Sequence, residues 1–424
     1  MRSLMMKYIC SLDIGSSKIA ACIGCFKGRE LVKLWWDYVP AAGVKQGLLQ
    51  DSQALTGCIA KLLKKIKVKS GLKVKSVHLG IASHNISCKY SQAVIALAER
   101  GNKSVSKTDI RRVVQQAQIL GSCLEEEILH ISPLSYTIDN ENEVINPLGL
   151  YGHQLKVNLC LVCAKVSYVN TITEIANRLG IRINGITLSG LAVSHAVFST
   201  GKVKGLNILC DIGKDITQVL IFNDDRLTHC HILEFGGDDL TAGLSKQLNI
   251  PYSLAEEVKI SYGRIQNNPE TRDKEIIVKK GNDYLTLNQN LITSILSQTS
   301  SGVAELIRDT IRPYVLAVSL PSSSYKPVLY TCGRTVCLDG LLEALEVVTA
   351  MPVKMAKIGN PALLTSTTHN RVLSGEPALN YLGCFGLISG AVNLSDNKFK
   401  PGRHSRNFLS YVSDRIKEIY QEYF

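Results

Sequence analysis

Residues 206–241 read LNILCDIGKDITQVLIFNDDRLTHCHILEFGGDDLT, and the prediction of the fold starts from this sequence. Its apolar runs, separated by turn residues, predict three consecutive strands and then a glycine pair at the start of a helix. A near-copy, SLDIGSSKIAACIGCFKGRELVKLW, occupies residues 11–35. Because one strand–turn–strand unit occurs twice, far apart in the chain, we expect two related half-structures whose glycine turns face one cleft.

The composition is that of a multidomain globular protein with a basic balance. The chain has 424 residues, of which 45% are hydrophobic and 20% charged, and its formal net charge is +12. This length allows more than one full core, and the positive charge favours anionic partners such as nucleotide phosphates or an acidic membrane surface. The alternative is that the lysines, such as those in 61–75, are simply solvated. No dense Lys/Arg tract with interleaved aromatic residues occurs, so nucleic acid is not an expected partner.

The N-terminus and the cysteines favour a cytoplasmic protein. The first apolar run is short, is broken by Lys7 and continues into a predicted strand, which is not the pattern of a signal peptide. No apolar stretch is long enough to span a bilayer. The 13 cysteines are scattered, and several occupy apolar runs where a free thiol behaves as a small hydrophobe. This usage suits a reducing cytosol.

The turn after the first strand, DIGSSK, has the chemistry of a phosphate site. Gly15 lets backbone amides approach an anion closely, and Ser16 and Ser17 add hydroxyl donors. Lys18 neutralises phosphate charge, and Asp13 is a candidate to hold Mg²⁺ through water. The alternative is an ordinary turn at the end of a strand, and the second copy of the pattern makes that alternative less favoured.

The second half supplies further candidate nucleotide-binding residues. The second copy contributes Asp211, Gly213 and Thr217, and Asp211 is the second candidate carboxylate for Mg²⁺ through water. A glycine pair before a helix, as at Gly236-Gly237-Asp238, offers backbone amides to an anion or a ribose. The alternative at that position is an ordinary Asp N-cap.

Two later motifs are candidates for the adenosine end of a nucleotide. Glu256 and Lys259 are three residues apart on one predicted helix face and are suited to bracket a ribose or an adenine, with a surface ion pair as the alternative. Gly333 ends a predicted strand before a helix and leaves room for the chain to pass under a base. A plain strand–helix turn is the alternative there.

The last 17 residues predict an amphipathic helix that follows a polar stretch at 391–407. Basic residues in that stretch are suited to meet anionic lipids, so the helix is interpreted as a membrane-binding segment. Docking on a partner or on the protein's own body is the alternative. The apolar face consists of Phe408, Leu409, Val412, Ile416, Ile419, Tyr420, Tyr423 and Phe424.

These motifs resemble the five nucleotide motifs of the actin-like ATPases, and among them the FtsA family of bacterial cell-division proteins. The resemblance is carried by LDIGSSKI, the second DIG unit, GGDDLT, EEVKISYG and the later glycine turn. More specific parts are GVKQGLLQD, VHLGIASHNIS, INPLGLYGHQLKV and the terminal helix. It implies an α/β, actin-like two-domain fold: duplicated RNase H-like halves, an inserted small α/β subdomain 1C of the SHS2 type, and a C-terminal amphipathic helix.

The same resemblance implies the domain boundaries. Subdomain 1A is expected at 1–82 and 165–205, and subdomain 1C at 83–164. Subdomain 2A is expected at 206–242 and 312–390, with 2B at 243–311. A linker at 391–407 and the membrane-targeting helix at 408–424 complete the chain.

The function implied by the family is that of a division scaffold. It includes binding of ATP and Mg²⁺, polymerisation through subdomain 1C of one subunit and its neighbour, and peripheral attachment to the cytoplasmic face of the cell membrane at the division site. The partners implied are the C-terminal tail of FtsZ and other divisome proteins. A PilM-like pilus assembly scaffold and a small-molecule kinase of the same fold are the alternatives.

The chain departs from the family pattern in the second phosphate turn. Where the family has DIGGGTTD, this chain has DIGKDITQ, so Lys214 and Asp215 replace glycines and Gln218 replaces the closing Asp. Side chains there crowd a phosphate, and Asp215 repels it. Arg334 stands in a run that is usually glycine, and Ser189 stands where a carboxylate is usual. We therefore expect weakened ATP binding, at most weak ATPase activity and no confident catalytic residue.

Overall fold

The computed structural model describes residues 6–28, 30–97, 104–141, 143–198, 204–266, 274–281, 283–318, 325–359 and 376–394. The predicted terminal helix at 408–424, with all eight residues of its apolar face, lies outside the described residues. So does the predicted linker after residue 394.

The strands are numbered in chain order. They are β1 (Met6–Ile14), β2 (Lys18–Lys27), β3 (Glu30–Pro40), β4 (Val44–Lys45), β5 (Leu48–Leu49), β6 (Ser76–Ile81), β7 (Ile86–Ala96), β8 (Glu126–Ile138), β9 (Glu143–Val144), β10 (Gln154–Lys165), β11 (Arg182–Leu188), β12 (Leu206–Ile212), β13 (Thr217–Asn223), β14 (Arg226–Leu233), β15 (Glu275–Lys280), β16 (Asp283–Asn288), β17 (Val328–Cys332) and β18 (Val353–Met355).

The helices connect and cover these strands. They are α1 (Ser52–Ser70), α2 (Lys107–Gly121), α3 (Val166–Arg178), α4 (Ser189–Val197), α5 (Gly237–Leu248), α6 (Tyr252–Tyr262), α7 (Gln289–Val318), α8 (Leu341–Thr349), α9 (Glu376–Leu379) and α10 (Leu382–Leu394). Helix α7 runs across the boundary expected at 311/312, and α10 extends four residues into the stretch expected to be a linker.

Two five-stranded sheets have the same topology. The first has the order β11-β6-β1-β2-β3 and the second β18-β17-β12-β13-β14. In each, a three-stranded antiparallel meander is extended by parallel strands beside its first member. The two sheets therefore confirm the predicted duplication. Because β1 and β12 hold equivalent central places, Asp13 and Asp211 near their ends are equivalent too.

Helix α1 shows how local sequence positions the first half. Asp51 caps it by accepting hydrogen bonds from the amides of Gln53 and Ala54 at 2.8 and 3.0 Å. Gly71 ends it in the left-handed conformation with φ of 73°. Its buried side chains recur at helical spacing and pack into the core of the first half: Leu55, Ile59, Leu62 and Ile66.

Helices α4 and α10 cross closely beside the first sheet. A Cβ atom on Gly386 of α10 would lie 1.6 Å from the carbonyl oxygen of Ala192 in α4, so only glycine allows this approach. On the same helix, Gly383 faces Asp13, where a Cβ would lie 2.4 Å from Oδ2. The glycines of α10 therefore bring that helix against the end of β1.

The segment between β6 and β11 contains a separate small core. Its four-stranded sheet has the order β7-β10-β8-β9, and α2 packs on it. Ser106 is the N-cap of α2, and its hydroxyl accepts from the amide of Asp109 at 3.2 Å. Arg226 of the second half donates to the carbonyl of Leu134 at 3.2 Å, so the inserted unit also contacts the second sheet.

Within the described ranges, no helix combines the length and apolar character that crossing a membrane requires.

Candidate functional site

The two sheets meet at a cleft where β1 and β12 end. It encloses about 810 Å³, part of it open to solvent. Of the residues predicted to bind nucleotide, it brings together Asp13, Gly15, Ser16, Ser17, Lys18, Asp211, Gly213 and Gly333. The residues that mark departures from the family pattern, Ser189, Lys214, Asp215, Gln218 and Arg334, line it as well.

Lys18 is the cation of the first turn. The turn is closed by the amide of Gly15, which donates to the Lys18 carbonyl at 3.0 Å. The Lys18 ammonium donates to the side-chain oxygen of Asn380 at 2.8 Å. Burial lowers the pKa of Lys18 to about 8, and the negative charges of Asp13 and Asp211 only partly offset that effect. Lys18 is therefore held in the cleft, where the charges of Asp13 and Asp211 both stabilise its ammonium.

Asp13 is fixed by a hydroxyl from the helix that follows β11. The Ser189 hydroxyl donates to Oδ1 of Asp13 at 2.7 Å. A Cβ on Gly80 would lie 2.6 Å from the same oxygen, so glycine there leaves space for the carboxylate. Burial raises the pKa of Asp13, while the Ser189 hydrogen bond and Lys18 act in the opposite direction. Ser189 stands where the family usually has a carboxylate. In this chain its hydroxyl positions the carboxylate of Asp13.

Asp211 is the equivalent carboxylate of the second half. Burial raises its pKa to about 6, with a further contribution from the charge of Asp13 and an opposing one from Lys18. The side-chain amide of Gln218 donates to Oδ2 at 3.4 Å, and its oxygen accepts from the amide of Gly190 in α4 at 3.0 Å. Gln218 therefore links the two halves beneath the cleft.

Gly333 has a steric role beside Asp211. Its φ is 87°, a left-handed conformation that favours glycine. A Cβ atom would lie 2.2 Å from the carbonyl oxygen of Ile212 and 2.8 Å from Oδ1 of Asp211. The predicted glycine is thus needed for close packing of β17 against β12, whatever the cleft binds.

The second turn repeats the backbone of the first and changes its side chains. The amide of Gly213 donates to the carbonyl of Ile216 at 3.0 Å, as Gly15 does to Lys18. Lys214 is exposed and its ammonium lies 3.7 Å from a carboxylate oxygen of Asp238. Ile216, at the place that Lys18 holds in the first turn, is buried.

Asp215 is buried and connects the second turn to the first half. Its Oδ2 accepts a hydrogen bond of 2.6 Å from the backbone amide of Gln46. Gln46 and Gly47 form the two-residue loop between β4 and β5, with φ of 51° and 68°, the pattern of a type I′ turn. The amide of Gly47 also points at the Ser16 hydroxyl, at 3.4 Å. Sequence reasoning missed this contact, although the Gln-Gly pair inside GVKQGLLQD is a hairpin signal.

The helix start at 236–238 does not offer its amides to the cleft. The amide of Gly237 donates to the Gly213 carbonyl at 3.0 Å, and that of Asp238 donates to the Lys214 carbonyl at 2.7 Å. Gly236 is the N-cap residue, and its amide donates to the Asp239 carboxylate at 2.9 Å. The alternative of an Asp238 N-cap is therefore wrong, and the glycine pair braces the second turn from behind.

Glu256, Lys259 and Thr217 lie away from the cleft lining. The Lys259 ammonium pairs with Glu256 at 2.7 Å and donates to the carbonyl of Gly237 at 2.7 Å and the hydroxyl of Thr241 at 2.6 Å. Burial alone would raise the pKa of Glu256, but the hydrogen bonds from Lys259 and Thr241 outweigh it and lower that pKa. Thr217 is fully buried and donates to the Phe235 carbonyl at 2.8 Å. The Glu256–Lys259 ion pair lies on α6 and its lysine bonds to Gly237 and Thr241 of α5, so it holds the two helices together.

The cleft fits a phosphate and Mg²⁺ on one side only. Asp13 and Asp211 are hard oxygen ligands of the type Mg²⁺ takes, and Lys18 and the serine hydroxyls suit a phosphate. In the described part of the chain, no cluster of three or more Cys, His, Asp or Glu is arranged to hold a metal. Mg²⁺ here would depend on water and phosphate oxygens, and its charge would screen the two carboxylates. The second turn presents a carboxylate, Asp215, where an anion would approach.

The family of the chain follows from its similarity to known proteins. A model described as "Cell division protein FtsA" matches residues 208–374, and one described as "SHS2 domain inserted in FTSA" matches residues 83–163. A cell division protein FtsA of Buchnera aphidicola subsp. Baizongia pistaciae is 25% identical over 430 residues, covering 98% of this chain and 99% of that protein. The chain belongs to the FtsA family.

Other FtsA proteins and several solved structures agree with this placement. The FtsA of Pseudomonas aeruginosa is 25% identical over 87% of both chains. Among solved structures, a PilM–PilN type IV pilus biogenesis complex superposes with a TM-score of 0.59 at 15% identity, covering 89% of this chain and 98% of that one. MreB5 of Spiroplasma citri bound to AMPPNP gives 0.51 at 12% identity, covering 92% and 96%. These likenesses confirm the actin-like fold with an SHS2 insertion, and FtsA membership makes this a cell-division protein.

Proposed function

We propose that this FtsA-family chain is a membrane-associated scaffold of the divisome that binds ATP and Mg²⁺ weakly. It polymerises on the cytoplasmic face of the cell membrane at the division site and tethers FtsZ filaments there. The observation that supports a scaffold over an enzyme is the asymmetry of the cleft. Its first turn keeps a glycine, two hydroxyls and a partly buried lysine, while its second turn holds a buried carboxylate and a buried aliphatic side chain in their place.

Membrane attachment is assigned to residues 408–424. Burying one large apolar side chain contributes about 1.5–3 kcal/mol at most, and burial at an interface is partial, so a single helix binds weakly. A polymer makes many weak attachments act together through effective concentration.

Sedimentation with anionic phosphatidylglycerol vesicles tests this attachment. The full chain is expected to pellet with the vesicles, and a chain that ends at residue 407 is expected to remain in the supernatant. The double variant Ile416→Glu/Ile419→Glu charges the apolar face and is expected to behave like the truncation. Glu418→Gln, on the polar face, is the matched control and is expected to pellet. Equal pelleting of all four proteins would contradict the assignment.

FtsZ tethering is tested on the same vesicles. Subdomain 2B is the proposed surface, and the β15–β16 hairpin there exposes Ile277 and Tyr284, 66% and 74% accessible. We expect FtsZ to sediment with vesicle-bound protein, and FtsZ without its C-terminal tail to stay in solution. Tyr284→Ser is expected to weaken recruitment without affecting vesicle binding. Capture of a pilus membrane subunit instead of FtsZ would favour a PilM-like scaffold.

Nucleotide binding is tested by titration calorimetry with ATP and Mg²⁺. We expect weak binding that Asp13→Ala abolishes, because Asp13 lies in the turn that kept its phosphate chemistry. Turnover stimulated by a sugar or a carboxylic acid would instead favour a small-molecule kinase.

A further inference from the structure

Asp215 is a buried carboxylate that faces the cleft from the second turn. It is 7% exposed, and its Oδ2 accepts from the Gln46 amide at 2.6 Å. Among the described residues, no Lys or Arg forms an ion pair with it, since the neighbouring Lys214 reaches Asp238 instead. Its partner is thus a backbone amide on the opposite half of the molecule.

The hairpin that meets Asp215 is held rigidly in place. A Cβ on Gly47 would lie 2.5 Å from the carbonyl oxygen of Ala82 and 2.5 Å from the Cα of Ser83, so the loop is packed against the chain that follows β6. Gln46 and Gly47 both adopt left-handed conformations, which fix the direction of their amides. A rigid amide aimed across the cleft is the type of donor that a terminal phosphate uses.

The second turn is equally rigid. Its carbonyls accept from the amides of Gly237 and Asp238, and the Thr335 hydroxyl donates to the Gly213 carbonyl at 2.9 Å. A Cβ on Gly236 would lie 2.2 Å from the Lys214 carbonyl oxygen, so the turn has no room to retreat. These contacts brace the backbone of the second turn, so rotation of its side chain is the route by which Asp215 leaves the amide.

We infer that Asp215 determines which nucleotides the cleft prefers: its carboxylate latches the second turn to the β4–β5 hairpin and disfavours a third phosphate. This inference rests on the proposed nucleotide binding. A terminal phosphate approaching between the two turns must compete with Asp215 for the Gln46 amide. It must also approach a like charge, which repels it. A nucleoside diphosphate, which can bind at the first turn through Lys18, avoids most of this cost.

Calorimetry with ADP–Mg²⁺ and ATP–Mg²⁺ on the full chain tests the selectivity. The native protein is expected to bind ADP at least about 10-fold more tightly than ATP, a difference of about 1.4 kcal/mol. Asp215→Asn keeps the shape and an acceptor oxygen but removes the charge, and Asp215→Gly removes both. Both variants are expected to gain about 10-fold or more in ATP affinity, with ADP affinity changed less than about threefold. Asp283→Asn, an exposed carboxylate on β16, is the control for net charge.

Hydrogen exchange at the Gln46 amide, without nucleotide, tests the latch separately. We expect protection in the native protein and in the Asp283→Asn control, and faster exchange in Asp215→Gly. Asp215→Asn, which retains an acceptor, is expected to fall between them.

The two measurements separate failure of this inference from failure of the proposed function. Equal ATP and ADP affinities in all proteins, with unchanged Gln46 exchange, would overturn the inference and leave nucleotide binding intact. If no protein binds either nucleotide, the proposed binding fails and the selectivity with it, while the Gln46 exchange rates still decide whether the latch exists.

Discussion

The turn after β1 and the turn after β12 are closed by the same hydrogen bond, from Gly15 to the Lys18 carbonyl and from Gly213 to the Ile216 carbonyl, each at 3.0 Å. Their side chains have opposite chemistry. The first turn holds a partly buried lysine close to two carboxylates, whereas the second holds a buried isoleucine at the same place and a buried aspartate beside it.

This difference shows how a duplicated fold divides its tasks. Strand pairing fixes the backbone of both turns, because each is a hairpin between the first two strands of a meander. The side chains are not fixed by that pairing, so one turn can keep anion-binding groups while the other joins the two halves. Substitutions at either turn test this division of tasks, and their expected effects differ in size.

The largest effect is expected from Gly333→Val, next to the second turn. The substitution places a β-branched side chain at a φ of 87° and within 2.2 Å of the Ile212 carbonyl, a combination expected to cost about 3 kcal/mol or more. Gly80→Ala, at the residue that pairs with Asp13 beside the first turn, is outside the left-handed region and meets a side-chain oxygen rather than backbone at 2.6 Å, so it is expected to cost less. Thermal unfolding midpoints measure both.

Gly302→Ala is the control for this pair, because a Cβ there meets nothing within 4 Å. It is expected to leave the midpoint unchanged or raise it slightly, since alanine is favoured in a helix. A Gly333→Val protein as stable as this control would show that the second turn is not held by β17.

The next effect concerns the two lysines. If the first turn carries the phosphate, Lys18→Met removes a charged hydrogen-bond donor worth about 1.5–3 kcal/mol and lowers nucleotide affinity about 10- to 100-fold. Lys214→Met, at an exposed side chain paired with Asp238, is expected to change affinity less than about threefold. Calorimetry with ADP–Mg²⁺ measures both. The reverse order of effects would place the phosphate at the second turn.

The third effect is a pH dependence at Asp211. Its pKa in the folded protein is raised to about 6, so the folded state binds a proton more tightly than the unfolded state does. Stability from this group is thus full at low pH and falls as the pH rises from about 4 to about 6. Asp211→Asn imitates the protonated form, so its stability advantage over the native protein is expected to grow across that interval, by about 3 kcal/mol or less.

Unfolding midpoints measured between pH 4 and pH 8 test this, with Asp283→Asn as an exposed control. Parallel curves for Asp211→Asn and the native protein would contradict the raised pKa. Asp13→Asn gives the matching measurement at the first turn. There the neutral amide oxygen of Asn accepts a weaker hydrogen bond from the Ser189 hydroxyl than the carboxylate does, so its gain is expected to be smaller.

The sequence was sufficient for the architecture because repetition is visible in it. The two DIG units predicted two sheets of equal topology, and the structure confirms them. The DIGSSK residues line the cleft as expected. A glycine turn between two consecutive strands is a local feature, so the sequence alone is enough to place it. The terminal helix at 408–424 stays a prediction.

Residues whose partners lie far away in the chain were harder to place. Glu256 and Lys259 show a helical spacing, but only the fold reveals that they face Thr241 and the Gly237 carbonyl. Thr217 belongs to a recognised motif, yet its hydroxyl donates to the Phe235 carbonyl inside the second half rather than facing the cleft. The contact of Asp215 with Gln46 joins positions 169 residues apart, and no local pattern encodes such a pair.

The smallest effect is expected from the exposed ion pair of the second turn. Lys214 and Asp238 lie 3.7 Å apart with 42% and 29% of their side chains exposed. Such pairs contribute about 0–1 kcal/mol, because solvent screens them and ordering the side chains costs entropy. A double-mutant cycle of Lys214→Met and Asp238→Asn, measured by chemical denaturation, is therefore expected to give a coupling energy below about 0.5 kcal/mol. A coupling of 2 kcal/mol or more would mean that charge rather than backbone holds this turn. The rigidity that makes Asp215 selective would then depend on salt, whereas the hydrogen bonds from Gly237, Asp238 and Thr335 predict a latch that is insensitive to it.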